Sequence, residues 1–337
     1  MRSDATSASG SQEGIREPDG PRRRGGPALK TDARSAVPDV CAALAVTATV
    51  FLFLFARVRS GESATVAVMP FMKDAGTYWM YILSQAFGWS GLLWAWITIM
   101  LGLLLSGPRP GRLPVSRAGL ERRHRVTSLT TMALMLAHAL MFAAELIRYK
   151  AELTWAQRFW DAFVDTFVPG GYSSGTGRLA IPIGQGALYL AIPLGLLFYV
   201  RHRIGPHTWR RLHRFIVVVY VLSVWHTLLY GTNVWYAEWP RTALWLLQLP
   251  VAALLLLRLL RPARRAERLT WPGRRGGGAD RPPPPRLPAW AARVVGRVAV
   301  GAVLVGLVAV VASGHDGGRE RPAPAPSPQA PHDHGSG

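Results

Sequence analysis

The chain has one cysteine, Cys41, among 337 residues. A single thiol excludes an intramolecular disulfide and a thiolate metal cluster. Lying inside an apolar run, Cys41 is expected to serve packing. Acidic residues are also scarce, 19 against 39 Lys and Arg. The long apolar runs hold almost no carboxylates, Glu145 near the end of one run being the main exception. That scarcity counts against a proton- or cation-coupled transporter, which needs ionisable groups at membrane depth.

What is abundant is apolar surface. Hydrophobic residues make up 50% of the chain, with 13 tryptophans. Several runs approach or exceed the roughly 18 to 20 apolar residues needed to cross a bilayer's hydrocarbon core. The expected fold is therefore all-α, a polytopic membrane helical bundle. The runs cover about residues 37–56, 81–105, 126–147, 181–200, 215–234 and 242–260, and a seventh covers 294–313. Ala302 and Gly306 give the seventh a small-xxx-small spacing. It reads as one extra C-terminal transmembrane helix beside a six-helix core.

Between and around the runs the composition changes. Residues 1–36 are rich in Gly, Ser, Arg and Pro and read as a disordered tail. No convincing cleavage site closes the first run, which reads as a retained helix. Residues 37–260 form the membrane domain. Residues 261–293 are a basic Pro/Gly-rich linker, and 314–337 a second disordered tail.

The net charge of +20 and the pI near 11.3 admit nucleic acid as a partner. The distribution argues against it. The arginines sit in alternate short loops, as in Arg109–Arg125, Arg201–Arg214 and Arg258–Arg286. This is the positive-inside pattern, with membrane lipid as the partner. It predicts a multi-pass protein of a bacterial-type plasma membrane, amino terminus cytoplasmic and, after seven crossings, carboxy terminus external.

The loop between the third and fourth runs has its own period. Trp155, Phe159, Phe163 and Phe167 recur every four residues, one apolar stripe on a helix. An interfacial helix on the outer leaflet is expected; a lid over a site at that end is the alternative.

The residues that carry chemistry are histidines. His124 and His138 stand fourteen apart on the third run, and His213 and His226 thirteen apart on the fifth. Both helices run in the same direction. His124 and His213 therefore share a level near the cytoplasmic side, and His138 and His226 share one further out. At about 1.5 Å per residue the levels lie roughly 20 Å apart. Two imidazoles at each level make the ligand set expected of stacked b-type haems, with both axial positions of each iron filled; hydrogen bonding across helices or a place in wet loops is the alternative. Fourteen residues fall about 40° short of whole turns, whereas thirteen miss by roughly 140°. Either the fifth helix bends or its two imidazoles use different rotamers. Arg125 and Arg214, beside the cytoplasmic level, are the candidates for pairing with haem propionates. His202 and His207 are expected to be solvated, and His315, His332 and His334 lie in the tail. Tyr220 and Trp225 are candidates for porphyrin contact or ordinary packing.

The segments "HRVTSLTTMALMLAH" and "WRRLHRFIVVVYVLSVWH", with the turn "RIGPHTWRRLHR", resemble the ferric reductase-like transmembrane domain. That superfamily includes the membrane part of NADPH oxidases and ferric reductases, and the haem-binding subunit of bacterial methionine sulfoxide reductase. The resemblance covers about residues 40–260. It implies a six-helix haem-binding core, one haem between His124 and His213 and another between His138 and His226. It implies electron transfer from a cytoplasmic donor to an external acceptor, in the class of electron-transfer subunits of oxidoreductases.

One departure limits the analogy. No glycine-rich dinucleotide fingerprint follows a strand pattern, so the chain is not expected to take hydride from NADPH itself. The donor would be a separate flavoprotein, a bound flavin or membrane quinol. A partner reductase would stand on the external side. Two rivals stay open: a quinol-linked cytochrome of the b561 type, and a haem-free membrane transporter or assembly scaffold.

Overall fold

The computed structural model describes residues 29–107, 116–173, 177–236 and 238–260, together with residue 298. The tails, the 261–293 linker and the expected seventh helix lie outside the described residues, apart from that single position. Within them the chain is helical, with no strand. Six helical stretches are long and apolar enough to cross a membrane, at 37–59, 79–106, 117–149, 177–196, 206–230 and 239–258. This is a polytopic helical bundle of a multi-pass membrane protein.

A short helix α1 (Leu29–Ser35) leads into α2 (Val37–Arg59), the first crossing. Pro38 sits in its first turn, where a missing N–H costs nothing. At the far end come α3 (Ala64–Val68), capped by the Ser63 side chain, and a 3-10 turn. The chain returns through α4 (Trp79–Ser106) and crosses again as α5 (Arg117–Tyr149). With 33 residues, α5 is about 50 Å long, well beyond a 30 Å core.

The amphipathic α6 (Trp155–Phe167) follows, opened by a capping box of Thr154 and Gln157. Lys150 Nζ reaches Asp161 and Asp165 and ties α6 back to the end of α5. Trp155, Phe159 and Phe163 of the expected stripe are exposed. Ala162 and Thr166 form the face against the bundle.

The fourth crossing, α7 (Gly177–Leu196), stops four residues before its apolar run does. A turn and α8 (Arg201–Ile204) carry the chain to α9 (Pro206–His213) and α10 (Ile216–Tyr230), which together make the fifth crossing. The sixth follows α11 (Thr232–Tyr236) and is also two pieces, α12 (Glu238–Leu246) and α13 (Gln248–Leu260). Pro250 explains that break, since it cannot donate to the carbonyl four residues back. The carbonyl of Leu247 at the break accepts from Trp96 Nε1 at 2.8 Å.

The principal packing pairs are α4 on α5 and α7 on α10. A core of Leu92, Ile99, Val224, Leu228, Leu244 and Val251 joins α4, α10, α12 and α13. A second cluster, Ala187, Ala191, Leu194 and Val219, seals α7 on α10. Apolar side chains such as Leu52 and Phe53 point outward, as expected where lipid is the solvent. Cys41 is among the exposed residues, so the packing role expected of it is not borne out.

Candidate functional site

The structure brings the four histidines together as two pairs. The rings of His124 and His213 are centred 6.0 Å apart and lie nearly perpendicular, at 84°. Those of His138 and His226 are also centred 6.0 Å apart, at 74°. A metal–imidazole bond is about 2 Å and the ring centre lies about 1 Å behind the nitrogen, so rings sharing one metal ion stand about 6 Å apart. Each pair has the spacing of two imidazoles that could share one metal ion.

The second ring nitrogen of each histidine is spoken for. His124 Nδ1 lies 3.1 Å from the carbonyl of Thr98, and His138 Nδ1 lies 2.7 Å from that of Ser84. His226 Nδ1 lies 2.8 Å from the carbonyl of Ala180, and His213 Nδ1 3.5 Å from that of Leu194. A carbonyl only accepts, so each Nδ1 carries the proton and donates it. The Nε2 lone pair is then free for a ligand, and the ring's orientation is fixed.

The acceptors repeat the spacing of the donors. Ser84 and Thr98 are fourteen apart on α4, as are Ala180 and Leu194 on α7. Three of these carbonyls are followed four residues later by glycine: Gly88, Gly102 and Gly184. A helical side chain covers the turn before its own Cα, so glycine at that position bares the carbonyl. The fit is tight. A Cβ on Gly88 would lie 3.1 Å from His138 Nδ1, one on Gly102 3.1 Å from His124 Cε1, and one on Gly184 2.6 Å from His226 Nδ1. Leu194 needs no such glycine, because it lies in the last turn of α7, where carbonyls lack an intrahelical partner.

The thirteen-residue spacing is reconciled by the break between α9 and α10. Phe215 N–H bonds to Leu212 O, Val217 N–H to Arg214 O and Val218 N–H to Phe215 O. These three-residue steps wind the chain at about 120° per residue instead of about 100°. The added rotation supplies much of what thirteen residues lack. It helps to bring His213 and His226 to one face, opposite His124 and His138.

Each pair opens on a cavity. The one at His124 and His213 is about 520 Å³ and the one at His138 and His226 about 160 Å³. The first is rimmed by Arg117, Arg125, Arg210, Arg214 and Arg258, with Glu121 the only acid of its described lining. The second has no Lys, Arg, Asp or Glu among its described lining residues. Met135 borders both cavities. Tyr220 borders the first, its hydroxyl donating to Gln248; Trp225 borders neither.

Arg125 has a partner that sequence reading missed. Its Nε lies 2.8 Å from Asp32 Oδ2, and its Nη2 3.4 Å from Asp32 Oδ1. The Tyr199 hydroxyl donates to the same carboxylate at 3.0 Å. Burial, then the Asp32 carboxylate beside it, pushes the Tyr199 phenol above its ordinary range. Asp32 thus pins α1 and the turn after α7 to the base of α5, while Arg125 keeps a face on the cavity. Arg214 also lines that cavity, within an exposed backbone turn. His202 and His207 are exposed, away from both pairs. His315, His332 and His334 lie outside the described residues. No cluster of three or more His, Cys, Asp or Glu is placed to hold a metal ion among the described residues.

The glycines had one signal in the sequence. Gly88 and Gly102 stand fourteen apart, the spacing of the histidines they face. Asp32 had none, since it precedes the first apolar run by five residues.

Residues 90–224 match the family described as ferric reductase like transmembrane component. The matched segment is shorter than the 40–260 of the sequence resemblance. It contains His124, His138 and His213 and ends two residues before His226. No curated protein and no solved structure matches the chain.

Proposed function

We propose that this chain, matched over residues 90–224 to a ferric reductase like transmembrane component, is a di-haem b-type membrane cytochrome. It carries electrons across the membrane from a separate cytoplasmic or quinol donor to an external acceptor or partner reductase. The observation that supports this best is the recurrence of one ligand geometry at two levels, with ring centres 6.0 Å apart in each. A bare metal ion in a structural or catalytic site asks for three or four protein ligands. Two imidazoles per level suit an iron whose other four positions are filled by a macrocycle.

When bound, haem supplies reversible one-electron exchange at iron. The chain's own residues do the rest. His124 with His213, and His138 with His226, would each hold one haem iron. The Nδ1 hydrogen bonds to Thr98, Leu194, Ser84 and Ala180 fix the tautomer and keep the four rings turned inward. Glycines 88, 102 and 184 leave room for the rings beside the helix backbones. The arginines around the first cavity, Arg125 and Arg214 among them, would pair with the propionates.

By helical rise the two levels stand about 20 Å apart, which divides the crossing into short steps. The arginine-rich end is the cytoplasmic one by the positive-inside bias, so the amino terminus is cytoplasmic. The expected seventh helix would place the carboxy terminus outside. The donor is a separate flavoprotein, a bound flavin or quinol.

The test is a reduced-minus-oxidised spectrum of membranes containing the protein. Low-spin b-haem bands are expected, with two haems per chain. Retention of full haem content in the His138→Ala and His226→Ala variants would remove the assignment of the second level.

A further inference from the structure

The four imidazoles are not held alike. His124, His138 and His226 each have an Nδ1 bond of 3.1 Å or less and a helical glycine close beside the ring. His213 has neither. Its Nδ1 lies 3.5 Å from the Leu194 carbonyl, at the outer limit of a hydrogen bond. No glycine among the described residues has the His213 ring as a near contact. His213 is also the last residue of α9, next to the tightened turn. Its ring plane needs another restraint.

Trp209 supplies one. It stands four residues earlier on α9, which puts both side chains on one face of the helix. The two rings are stacked, with centres 5.4 Å apart and planes 23° from parallel. The indole is backed in turn. Phe198 meets it nearly edge-on at 5.7 Å, and the Arg201 guanidinium lies 3.8 Å from the Phe198 ring centre. What the indole lacks is a hydrogen bond, for its Nε1 is buried without a partner. An unmade bond of that kind is costly, so the N–H is not what places the indole. Packing between Phe198 and His213 places it, along the wall of the first cavity.

We propose that Trp209 is the positioning residue of His213, its stacked ring setting the plane of that imidazole at the first cavity. The inference rests on reading the first level as a haem site, and it adds how one of the ligands there is aimed. An imidazole bound through Nε2 can turn about that bond unless its surroundings fix it. In a low-spin ferric haem, the angle between the two imidazole planes sets the anisotropy of the electron paramagnetic resonance. Planes near perpendicular, like the 84° between His124 and His213, give a strongly anisotropic line at low field. Planes nearer parallel move that line to higher field. Without the indole, the His213 plane loses its present angle. Trp209 does not line the second cavity, so the second level keeps its signal.

The experiment uses the full-length, haem-loaded protein in nanodiscs, fully oxidised. The low-field line that disappears in His124→Ala belongs to the first level. Trp209→Leu keeps apolar bulk without a ring. It should shift or broaden that line while haem content and the second-level line stay as in the wild type. Trp209→Phe keeps a ring and removes only the stranded N–H, so it should return the line to its wild-type field. A merely structural role would lower the thermal midpoint of Trp209→Leu and leave its line in place, and that result overturns the proposal. A Phe variant displaced as far as the Leu variant assigns the effect to the N–H and overturns it too. If Trp209→Leu fails to assemble, Phe198→Leu removes the backing of the indole instead, and an unshifted first-level line there overturns the proposal. A wild type without haem bands overturns the function proposed above. A wild type with two haems, and a first-level line indifferent to Trp209→Leu, overturns the role of Trp209 alone.

Discussion

Gly184 and His226 approach so closely that a Cβ on the glycine would lie 2.6 Å from the imidazole Nδ1. Real Cβ atoms do not approach that closely. Gly184→Ala should therefore push the His226 ring off the Ala180 carbonyl and out of line with His138. The expected result is loss of about one haem per chain, with the other level intact. Gly88→Ala and Gly102→Ala, at 3.1 Å, should act more mildly, broadening or shifting one haem's spectrum. Gly186→Ala on the same helix meets nothing nearer than 3.8 Å and serves as the control. Haem content and the low-temperature spectrum of purified variants decide the order.

The pairing makes a statement about additivity. Residues acting on one centre fail together, and those on separate centres add. His124→Ala with His213→Ala should lose no more haem than either change alone, about one per chain. His124→Ala with His138→Ala should lose about two. If the two combinations give the same haem content, the ring pairs at 6.0 Å are not ligand pairs.

How much of this could be read in advance varies with the residue. The levels and partners of the four histidines followed from run boundaries and direction alone, because helical rise is nearly invariant. The meaning of thirteen did not. It depends on the tightened turn at Arg214 and Phe215, where no proline or glycine marks a break. The glycines opposite the rings showed only a spacing, fourteen between Gly88 and Gly102, because a glycine in an apolar run signals close packing without naming the partner. The aromatic stripe of α6 was legible as a period, and its exposed side agrees with an interfacial helix. The opposite side was not legible. Thr166 and Gln185 look unremarkable until the chain folds them onto one cavity. The seventh run at 294–313 lies almost wholly outside the described residues.

Asp32 and Arg125 give a prediction about stability. Their side chains are 5% and 17% exposed and joined at 2.8 Å. Removing one member of a buried pair strands the other charge, at a cost of about 3 kcal/mol. Asp32→Asn should thus lower the thermal midpoint measured by tryptophan fluorescence in detergent. Replacing both, as Asp32→Asn with Arg125→Met, should recover most of the loss. If Arg125 also holds a propionate, the double variant regains stability but its first-level haem titrates at a lower potential. Equal stability of all three proteins would mean that α1 is not docked on α5.

Lys150 links the amphipathic α6 to the end of α5 and should do so only while it is charged. Partial burial pulls its ammonium downward, but hydrogen bonds and charge from Asp161 and Asp165 outweigh this and raise the group above the ordinary lysine value. A basic group raised on folding contributes its stabilisation fully below its unfolded pKa, near 10.4, and loses it as pH climbs through the folded value. The pair is partly solvent-exposed, so about 0.5 kcal/mol is at stake. The wild type should therefore melt slightly above Lys150→Met from pH 7 to 9, and the two midpoints should converge above the lysine range. Added salt should narrow the gap at neutral pH as well, because exposed charges are screened. A gap that persists unchanged at high pH would place the contribution of Lys150 in its methylene stem and not in its charge.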